Sequence, residues 1–326
     1  MVSEKKLTKD ESYKIQLLRG LSIIAVVCIH NTPDGMVQAW CRPFLNFAVA
    51  MFLFMSGMLS DSINWKPVHR IKKIIVPYFL WSLIYTVLFS HDNILALPLT
   101  FVKNLVTGRS AAIMYYVFVY CQFTLLIPLI DHMAKSKYKY CGLIISPVEI
   151  ILVRLFPLLL GYKLNSYIDG IVYVSCLGWF TYFYLGYLIG NGYLYIKCPT
   201  RRLIFELGGG TALQILEGMW YFSLGETNCG TQLKLSAVLS NVFVLLIAYR
   251  FITSDKTVSA RYLYLIGNNS FGIYFSHLAV MWVLNYIPYY ENLWYPFNAA
   301  IVVVISLICV VIGKKILGKN AKYLAL

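Results

Sequence analysis

The chain has 326 residues, of which 59% are hydrophobic and only 13% are charged. This composition excludes an ordinary soluble domain, because apolar runs of about twenty residues recur along the chain as they do in polytopic membrane proteins. The formal net charge of +14 does not indicate nucleic-acid binding, because the basic residues lie between the apolar runs and are not interleaved with aromatic residues.

The first apolar run, residues 15–32, carries an arginine near one end and a histidine near the other. Arg19 and His30 are eleven residues apart, so on a helix they share one face and lie about 16 Å apart along its axis. An arginine within a lipid-spanning helix costs about 2.5–3.5 kcal/mol on the insertion scale unless it meets a partner or a polar cavity. Either the two residues form one site, or Arg19 snorkels to the headgroups while His30 lies at the opposite interface.

Ten apolar segments are predicted to span a membrane, at residues 15–32, 43–60, 73–90, 113–131, 141–161, 171–192, 203–222, 233–252, 266–287 and 296–317. We interpret the first as a retained span, because the basic stretch before it leads to no small-residue cleavage site. With the N-terminus in the cytoplasm, 21 of the 28 Lys and Arg residues lie on the cytoplasmic side and two lie within spans. The other five lie on the outward side: Arg42, Lys103, Arg109, Lys163 and Lys234. The sequence therefore predicts an all-α transmembrane bundle with both termini cytoplasmic, in a single domain over residues 1–326 with short tails at 1–14 and 318–326.

Several polar residues lie within or beside these spans. Ser56 precedes a glycine near the end of the second span, where a helix or a ligand can approach the backbone closely. Arg70 and Lys73 share a face at the entry to the third span and are either membrane anchors or phosphate ligands. Glu149 and Arg154 are about 140° apart around the fifth span, so each needs a partner on another helix or a wet cavity.

The seventh and ninth spans contain two further patterns. Three glycines at 208–210 favour a kink, a break or close packing of the seventh span. Ser270, Tyr274 and His277 form one polar stripe on the ninth span, and His277 is either a buried structural histidine or a functional one. The eight cysteines form no pair or His/Cys cluster with ligand spacing, so no metal site is predicted.

Four stretches together resemble the acyltransferase-3 family of integral membrane acyltransferases. In this family an arginine in the first span is followed, after ten residues, by a histidine, and LLRGLSIIAVVCIH matches this with Arg19 and His30. MFLFMSGML is similar to the FFxxSGF-like end of the second span, and RIKKIIVPYFLW to the basic R-I-x-x-P-Y entry of the third. GNNSFGIYFSH matches a late G-x-x-S-Y-x-I-Y-x-x-H segment and ends at His277. One departure is Lys73, which stands where members often have a second arginine and which lacks the guanidinium's bidentate fork.

The resemblance implies transfer of an acyl group, most often acetyl, from cytosolic acyl-CoA to a hydroxyl of a cell-envelope glycan. It implies a multi-pass protein of the bacterial plasma membrane, with acetyl-CoA or another acyl-CoA as the donor substrate and with no metal and no nucleic-acid partner. A homo-oligomer is left open. The expected catalytic residues are His30, as general base, and Arg19, which also contacts the CoA moiety. The residues expected to bind the donor beside Arg19 are Ser56, Arg70 and Lys73. The residues expected to line the substrate cavity are Ser270, Tyr274, His277, Glu149 and Arg154.

Two other functions remain open at this point. In a transporter or flippase, Arg19, Glu149, Arg154 and Glu206 would line a translocation path, although no internal repeat relates two halves of the chain. A non-catalytic subunit of a glycan synthesis or export complex is the third candidate. The sequence distinguishes neither among capsule, teichoic acid, lipid-linked glycan and peptidoglycan acceptors, nor between acetyl and longer acyl groups. It also leaves open direct transfer and a covalent acyl-enzyme.

Overall fold

The computed structural model describes residues 7–90, 94–162, 172–288, 290 and 293–326, and within them the regular structure is helical. Lys163, counted above among the outward charges, lies outside the described residues. In chain order the helices are α1 (Lys9–Asn31), α2 (Met36–Cys41), α3 (Phe47–Met58), α4 (Pro67–Ser90), α5 (Leu97–Thr107), α6 (Tyr115–Lys135), α7 (Lys139–Leu159), α8 (Phe180–Gly190), α9 (Thr200–Ser223), α10 (Leu235–Ile252), α11 (Arg261–Asn268), α12 (Ser270–Leu284) and α13 (Phe297–Leu317).

Seven helical segments in the described part of the chain are long and apolar enough to cross a membrane. They are α1, α2 together with α3, α4, α6, α7, α10, and α13 with the turn that follows it. The predicted polytopic transmembrane helical bundle is therefore confirmed. Each of the ten predicted spans contains helix, but the count of ten and the cytoplasmic termini stay predictions.

The elements differ from the predicted spans in two places. The ninth predicted span is divided at Asn269 into α11 and α12. The Asn269 amide donates to the Leu265 carbonyl at 2.7 Å and accepts from Lys314 Nζ at 2.6 Å, so its side chain competes with regular helical bonding. The segment between the third and fourth predicted spans contains helix α5, which packs on α4.

Helices α3 and α8 pack with their backbones in contact. A Cβ atom added at Gly186 would lie 2.1 Å from the Phe54 carbonyl oxygen, and one at Gly57 would lie 2.0 Å from that of Phe183. Small residues permit such close approach between membrane helices. Every residue of α8 from Phe180 to Ile189 is buried, which makes α8 the central helix of one half of the core. The glycine after Ser56 thus serves helix packing.

Helix α1 organises the other half of the core. The side chain of Thr8 accepts a hydrogen bond from the Glu11 backbone N–H, and the Glu11 side chain accepts from the Thr8 N–H, so a capping box starts the helix. Further along, Gly20 lies against the Leu263 carbonyl and Gly267 lies against the Gln16 carbonyl, which brings α1 and α11 into close contact. Helix α1 also contacts α3, α10, α12 and α13 and is therefore fixed from several sides.

The three glycines of α9 do not break the helix, which is continuous from Thr200 to Ser223. Gly210 packs against Ser240 of α10, where an added Cβ atom would lie 2.9 Å from the serine Cβ. Gly208 and Gly209 face open space. Close packing is therefore the role of Gly210 alone.

We predict that alanine at Gly186 destabilises the protein whereas alanine at Gly208 does not. Both are helical glycines, so the gain in helix propensity, up to about 1 kcal/mol, is the same at the two positions. At Gly186 the new methyl group must push α3 and α8 apart, at a cost of about 1–3 kcal/mol that is typical of overpacking. Thermal unfolding midpoints of the detergent-solubilised variants check this. If the Gly186→Ala and Gly208→Ala proteins have the same unfolding midpoint, the close contact between α3 and α8 does not contribute to stability.

Candidate functional site

Helix α1 carries the two residues that the sequence singled out first. His30 lies in its last turn and lines a cavity, whereas Arg19 is an exposed side chain three turns earlier. Because the helix is uninterrupted between them, the separation of about 16 Å expected from helical geometry applies. The Arg19 guanidinium is close enough to Tyr116 of α6 to interact electrostatically with its phenol. The structure thus places Arg19 and His30 at two levels of one helix.

The His30 and His277 side chains meet between α1 and α12. Their ring centroids are 5.4 Å apart and the ring planes are inclined at 48°. His277 is completely buried. Its Nδ1 atom lies 3.0 Å from the Ile273 carbonyl oxygen and 2.8 Å from that of Tyr274. Two residues 247 positions apart in the sequence therefore form one imidazole pair.

The polar stripe on α12 also contains Tyr274 and Ser270, and Tyr274 ties this helix to the segment before α6. The Tyr274 hydroxyl donates to the Ile113 carbonyl, and its ring lies 5.6 Å from Tyr116 and 6.3 Å from His277. Ser270 is buried in the first turn of α12. Tyr116 and Tyr274 together form an aromatic layer between the level of Arg19 and the histidine pair.

Next to His30 opens a cavity of about 960 Å³. Its walls come from the end of α1, residues 34–46, residues 107–115, Tyr173 with Val174, and the loop over residues 222–232. The polar side chains that line it are His30, Asp34, Gln38, Arg42, Asn46, Thr107, Arg109, Tyr115, Tyr173, Glu226, Thr227, Asn228, Thr231 and Gln232. We call this the outer cavity, because the sequence places these loops on the outward side.

Arg42 ties the outer cavity to the end of α1. Its guanidinium donates to the Asn228 side-chain oxygen at 3.0 Å and to the Ile29 carbonyl at 3.2 Å. It also interacts electrostatically with His30, while its Nε is buried without a hydrogen-bond partner among the described residues. The sequence argument counted Arg42 only as an outward charge. An imidazole beside a guanidinium in a polar cavity can exchange a proton and stabilise a nearby negative charge.

Three carbonyl groups in the cavity wall lack a partner within the part of the chain that the structure describes. They are Oε1 of Gln38, Oδ1 of Asn46 and Oε1 of Gln232, all buried. For two of these amides the nitrogen is already used: Gln38 Nε2 donates to Asp34 at 2.6 Å, and Asn46 Nδ2 donates to Gln214 at 2.8 Å. These oxygens are therefore unused hydrogen-bond acceptors in residues that line the cavity.

Two of the residues predicted to bind the donor phosphates, Ser56 and Arg70, lie close together near the end of α3. Arg70 donates to the Ser60 hydroxyl at 2.9 Å, and that hydroxyl donates to the Ser56 carbonyl at 2.7 Å. Lys73 is exposed one turn further along α4. The structure thus brings Ser56 and Arg70 together through Ser60. Lys73 makes no contact with this pair that the structure records and is an exposed cation on α4.

None of the five residues predicted to line a substrate cavity lines the outer cavity. Three of them lie on α12, which packs against α1 at His30: Ser270, Tyr274 and His277. Glu149 and Arg154 lie on α7, where residues Ile151–Leu155 form a π-helical turn that changes the angle assumed for an ideal helix. The two interact electrostatically, but Glu149 Oε2 and Arg154 Nη1 are buried without hydrogen-bond partners among the described residues.

We predict that the outer cavity is accessible from outside the cell. Thr227 lies exposed in the cavity wall, whereas Lys137 lies exposed in a loop that the charge distribution places in the cytoplasm. In intact cells a membrane-impermeant maleimide should label Thr227→Cys above the background of the parent chain and should not label Lys137→Cys. The predicted topology would be wrong if Thr227→Cys were labelled only after permeabilisation. It would also be wrong if Lys137→Cys were labelled in intact cells.

Comparison with known proteins gives one family. A model of the acyltransferase-3 family, described as an acyltransferase domain, matches residues 12–314. The match covers nearly the whole chain, including α1, the outer cavity and α12. No curated protein and no solved structure matches the chain. The chain belongs to the acyltransferase-3 family and is a membrane acyltransferase.

Proposed function

We propose that this protein moves an acyl group, first of all acetyl, from acyl-CoA to a hydroxyl of a cell-envelope glycan across the membrane. The observation that carries the proposal is the course of α1, which places His30 in the outer cavity and Arg19 three turns away toward the opposite side. Membership of the family supplies the reaction class. The glycan and the acetyl donor are our inference from the arrangement of polar groups at the two levels.

The outer cavity has the chemistry of a carbohydrate site. Its volume of about 960 Å³ lies at the upper end of small-ligand pockets. The unpartnered oxygens of Gln38, Asn46 and Gln232 suit sugar hydroxyls, which are hydrogen-bond donors. Tyr115 and Tyr173, whose ring centroids are 5.7 Å apart, add aromatic surface to the same wall. A glycan segment with one hydroxyl directed at His30 fits this lining.

The residues around Arg19, three turns of α1 away from His30, carry positive charge that is suited to the CoA phosphates. Arg19 and Lys73 are exposed, and Arg70 is held at the end of α3 by its bond to Ser60. Cationic side chains bind phosphate oxygens through charge-assisted hydrogen bonds. In this arrangement the extended pantetheine arm follows the Arg19–His30 face of α1, and Tyr116 and Tyr274 must move aside for the thioester to reach His30.

The proposed reaction is a direct transfer. His30 accepts the proton of the glycan hydroxyl while the hydroxyl oxygen attacks the thioester carbon. The tetrahedral oxyanion is stabilised by Arg42, whose positive charge acts on His30 and whose side chain lines the same cavity. When the C–S bond breaks, the proton on His30 passes to the CoA sulfur, so the products are the acyl ester and CoA. No covalent nucleophile is needed.

The positions of the charged residues favour this reaction over transport. Glu206 lies on the partly exposed face of α9, where it pairs with Arg202 at 3.6 Å. Glu149 lies beside Gly178, where its Oε2 would be 2.7 Å from an added Cβ atom. Neither acid lines the outer cavity. Consumption of acetyl-CoA by the purified protein distinguishes the two functions, because a transporter leaves the thioester intact.

We predict that substitution of Arg19 weakens acetyl-CoA binding, whereas substitution of His30 lowers the rate of transfer. Arg19→Ala should weaken acetyl-CoA binding by about 1.5–3 kcal/mol, the value of a hydrogen bond to a charged group. Arg19→Lys should restore only part of that binding, because an ammonium lacks the guanidinium fork. His30→Ala should leave acetyl-CoA binding unchanged and lower transfer by about 10²–10⁴-fold, as for loss of a general base.

Calorimetry with acetyl-CoA measures the first effect on detergent-solubilised protein. Transfer of radiolabelled acetyl to envelope glycan prepared from cells lacking this gene measures the second. Full transfer activity in a folded His30→Ala protein would remove the general-base assignment. His30 would then be an interfacial histidine.

A further inference from the structure

We propose that His277 is a positioning residue for His30. Its Nε2 lone pair accepts a hydrogen bond from the His30 ring through one bridging water, or directly after a small rotation of His30. This bond fixes which His30 nitrogen carries the proton and leaves the other nitrogen free to act as the base. The inference rests on the proposed function of His30 as general base.

The backbone of α12 sets the tautomer of His277. Its Nδ1 atom lies within hydrogen-bond distance of the Ile273 and Tyr274 carbonyl oxygens. Carbonyl oxygens only accept hydrogen bonds, so Nδ1 must carry the proton. In the neutral ring Nε2 is then an acceptor. His277 therefore presents a lone pair, and its proton stays on the helix side.

That lone pair has no partner in the part of the chain that the structure describes. His277 is fully buried and its Nε2 accepts no hydrogen bond there. Buried polar atoms in folded proteins are almost always paired, so this one calls for a donor. The His30 ring, whose centroid is 5.4 Å away and which is tilted by 48°, is close enough to supply an N–H through one water.

Two nearby tyrosine hydroxyl groups do not compete for Nε2, because each donates to a backbone carbonyl. Tyr274 donates its proton to the Ile113 carbonyl, and Tyr85 of α4 donates to the Phe275 carbonyl at 2.5 Å. Besides His277 itself, Arg42 acts electrostatically on His30, and as a cation it contributes no hydrogen-bond acceptor. His277 is thus a neighbour of His30 that presents an unused acceptor. It takes the orienting part that a carboxylate plays in a Ser-His-Asp triad, without placing a charge within the membrane.

The test compares two substitutions of His277 with a matched control. Phenylalanine keeps a planar ring but removes the lone pair, whereas glutamine places an amide oxygen near the position of Nε2. We expect His277→Phe to lower kcat for acetyl transfer about 10²-fold, with acetyl-CoA affinity and the KM for glycan unchanged. His277→Gln should recover to within about tenfold of the parent. His132→Phe makes the same chemical change at an exposed site on α6 and should leave kcat at the parental value.

Nitrogen-15 NMR of histidine-labelled protein reports the tautomers directly. In the parent chain His277 should carry its proton on Nδ1, and His30 should be a single tautomer. His30 should become a mixture in His277→Phe but stay single in His277→Gln and His132→Phe. This readout separates positioning from a purely structural role, because a packing defect does not select between tautomers.

The outcomes also separate this inference from the proposed function. Full activity of His30→Ala removes the general base and with it the need for a positioning residue. If His30→Ala is inactive while His277→Phe keeps the parental kcat and the parental His30 tautomer, the positioning role alone is overturned. A proton on Nε2 of His277 in the parent chain overturns it as well, whether or not the variants fold.

Discussion

The structure depends on the rigidity of one transmembrane helix. An α-helix in lipid satisfies its own backbone and advances about 1.5 Å per residue, so side chains on α1 keep a fixed separation. The capping box at Thr8 starts the helix, and Gly20 holds it against α11 at backbone distance. Because α1 is a continuous helix, Arg19 and His30 lie at two levels of the protein with a set separation. In the proposed reaction, the donor and the acceptor would meet on this face.

Buried polar groups on neighbouring helices support the outer cavity. Glu217 accepts from the backbone N–H groups of Leu235 and Ser236 at 3.3 and 2.9 Å, and so caps α10 with a negative charge. Lys234 is completely buried and donates to the Gln214 carbonyl at 3.0 Å and to the Cys229 carbonyl at 3.3 Å. Backbone groups thus solvate both charges where water is scarce. These bonds fix the start of α10 beneath the loop that lines the cavity.

The sequence predicts the parts of the site that lie within one helix or one motif. The spacing of Arg19 and His30 follows from helical geometry, and the stripe that ends at His277 follows in the same way. The contact between His30 and His277 does not, because periodicity gives the face of a helix and not the helix packed against it. The late motif marks His277, yet its unpartnered Nε2 is visible only once α12 is placed beside α1.

The outer cavity could not be predicted for a related reason. Its walls come from segments far apart in the sequence, and Arg42 and Asn228 are isolated polar residues until the fold joins them at 3.0 Å. Local conformation accounts for other differences. The side chain of Asn269 ends a helix that hydropathy alone continues, and a π-helical turn lies between Glu149 and Arg154. Neither follows from mean hydropathy or an ideal period of 3.6 residues.

The central claim is that acyl transfer is coupled across the membrane along α1. The most direct test places the protein in sealed vesicles of one orientation, with radiolabelled acetyl-CoA on the Arg19 side and envelope glycan from cells lacking this gene on the His30 side. The account predicts labelled acetyl ester on the glycan, while intact acetyl-CoA stays on the Arg19 side. Transfer only when both substrates share one side, or passage of intact acetyl-CoA through the vesicle wall, would contradict it.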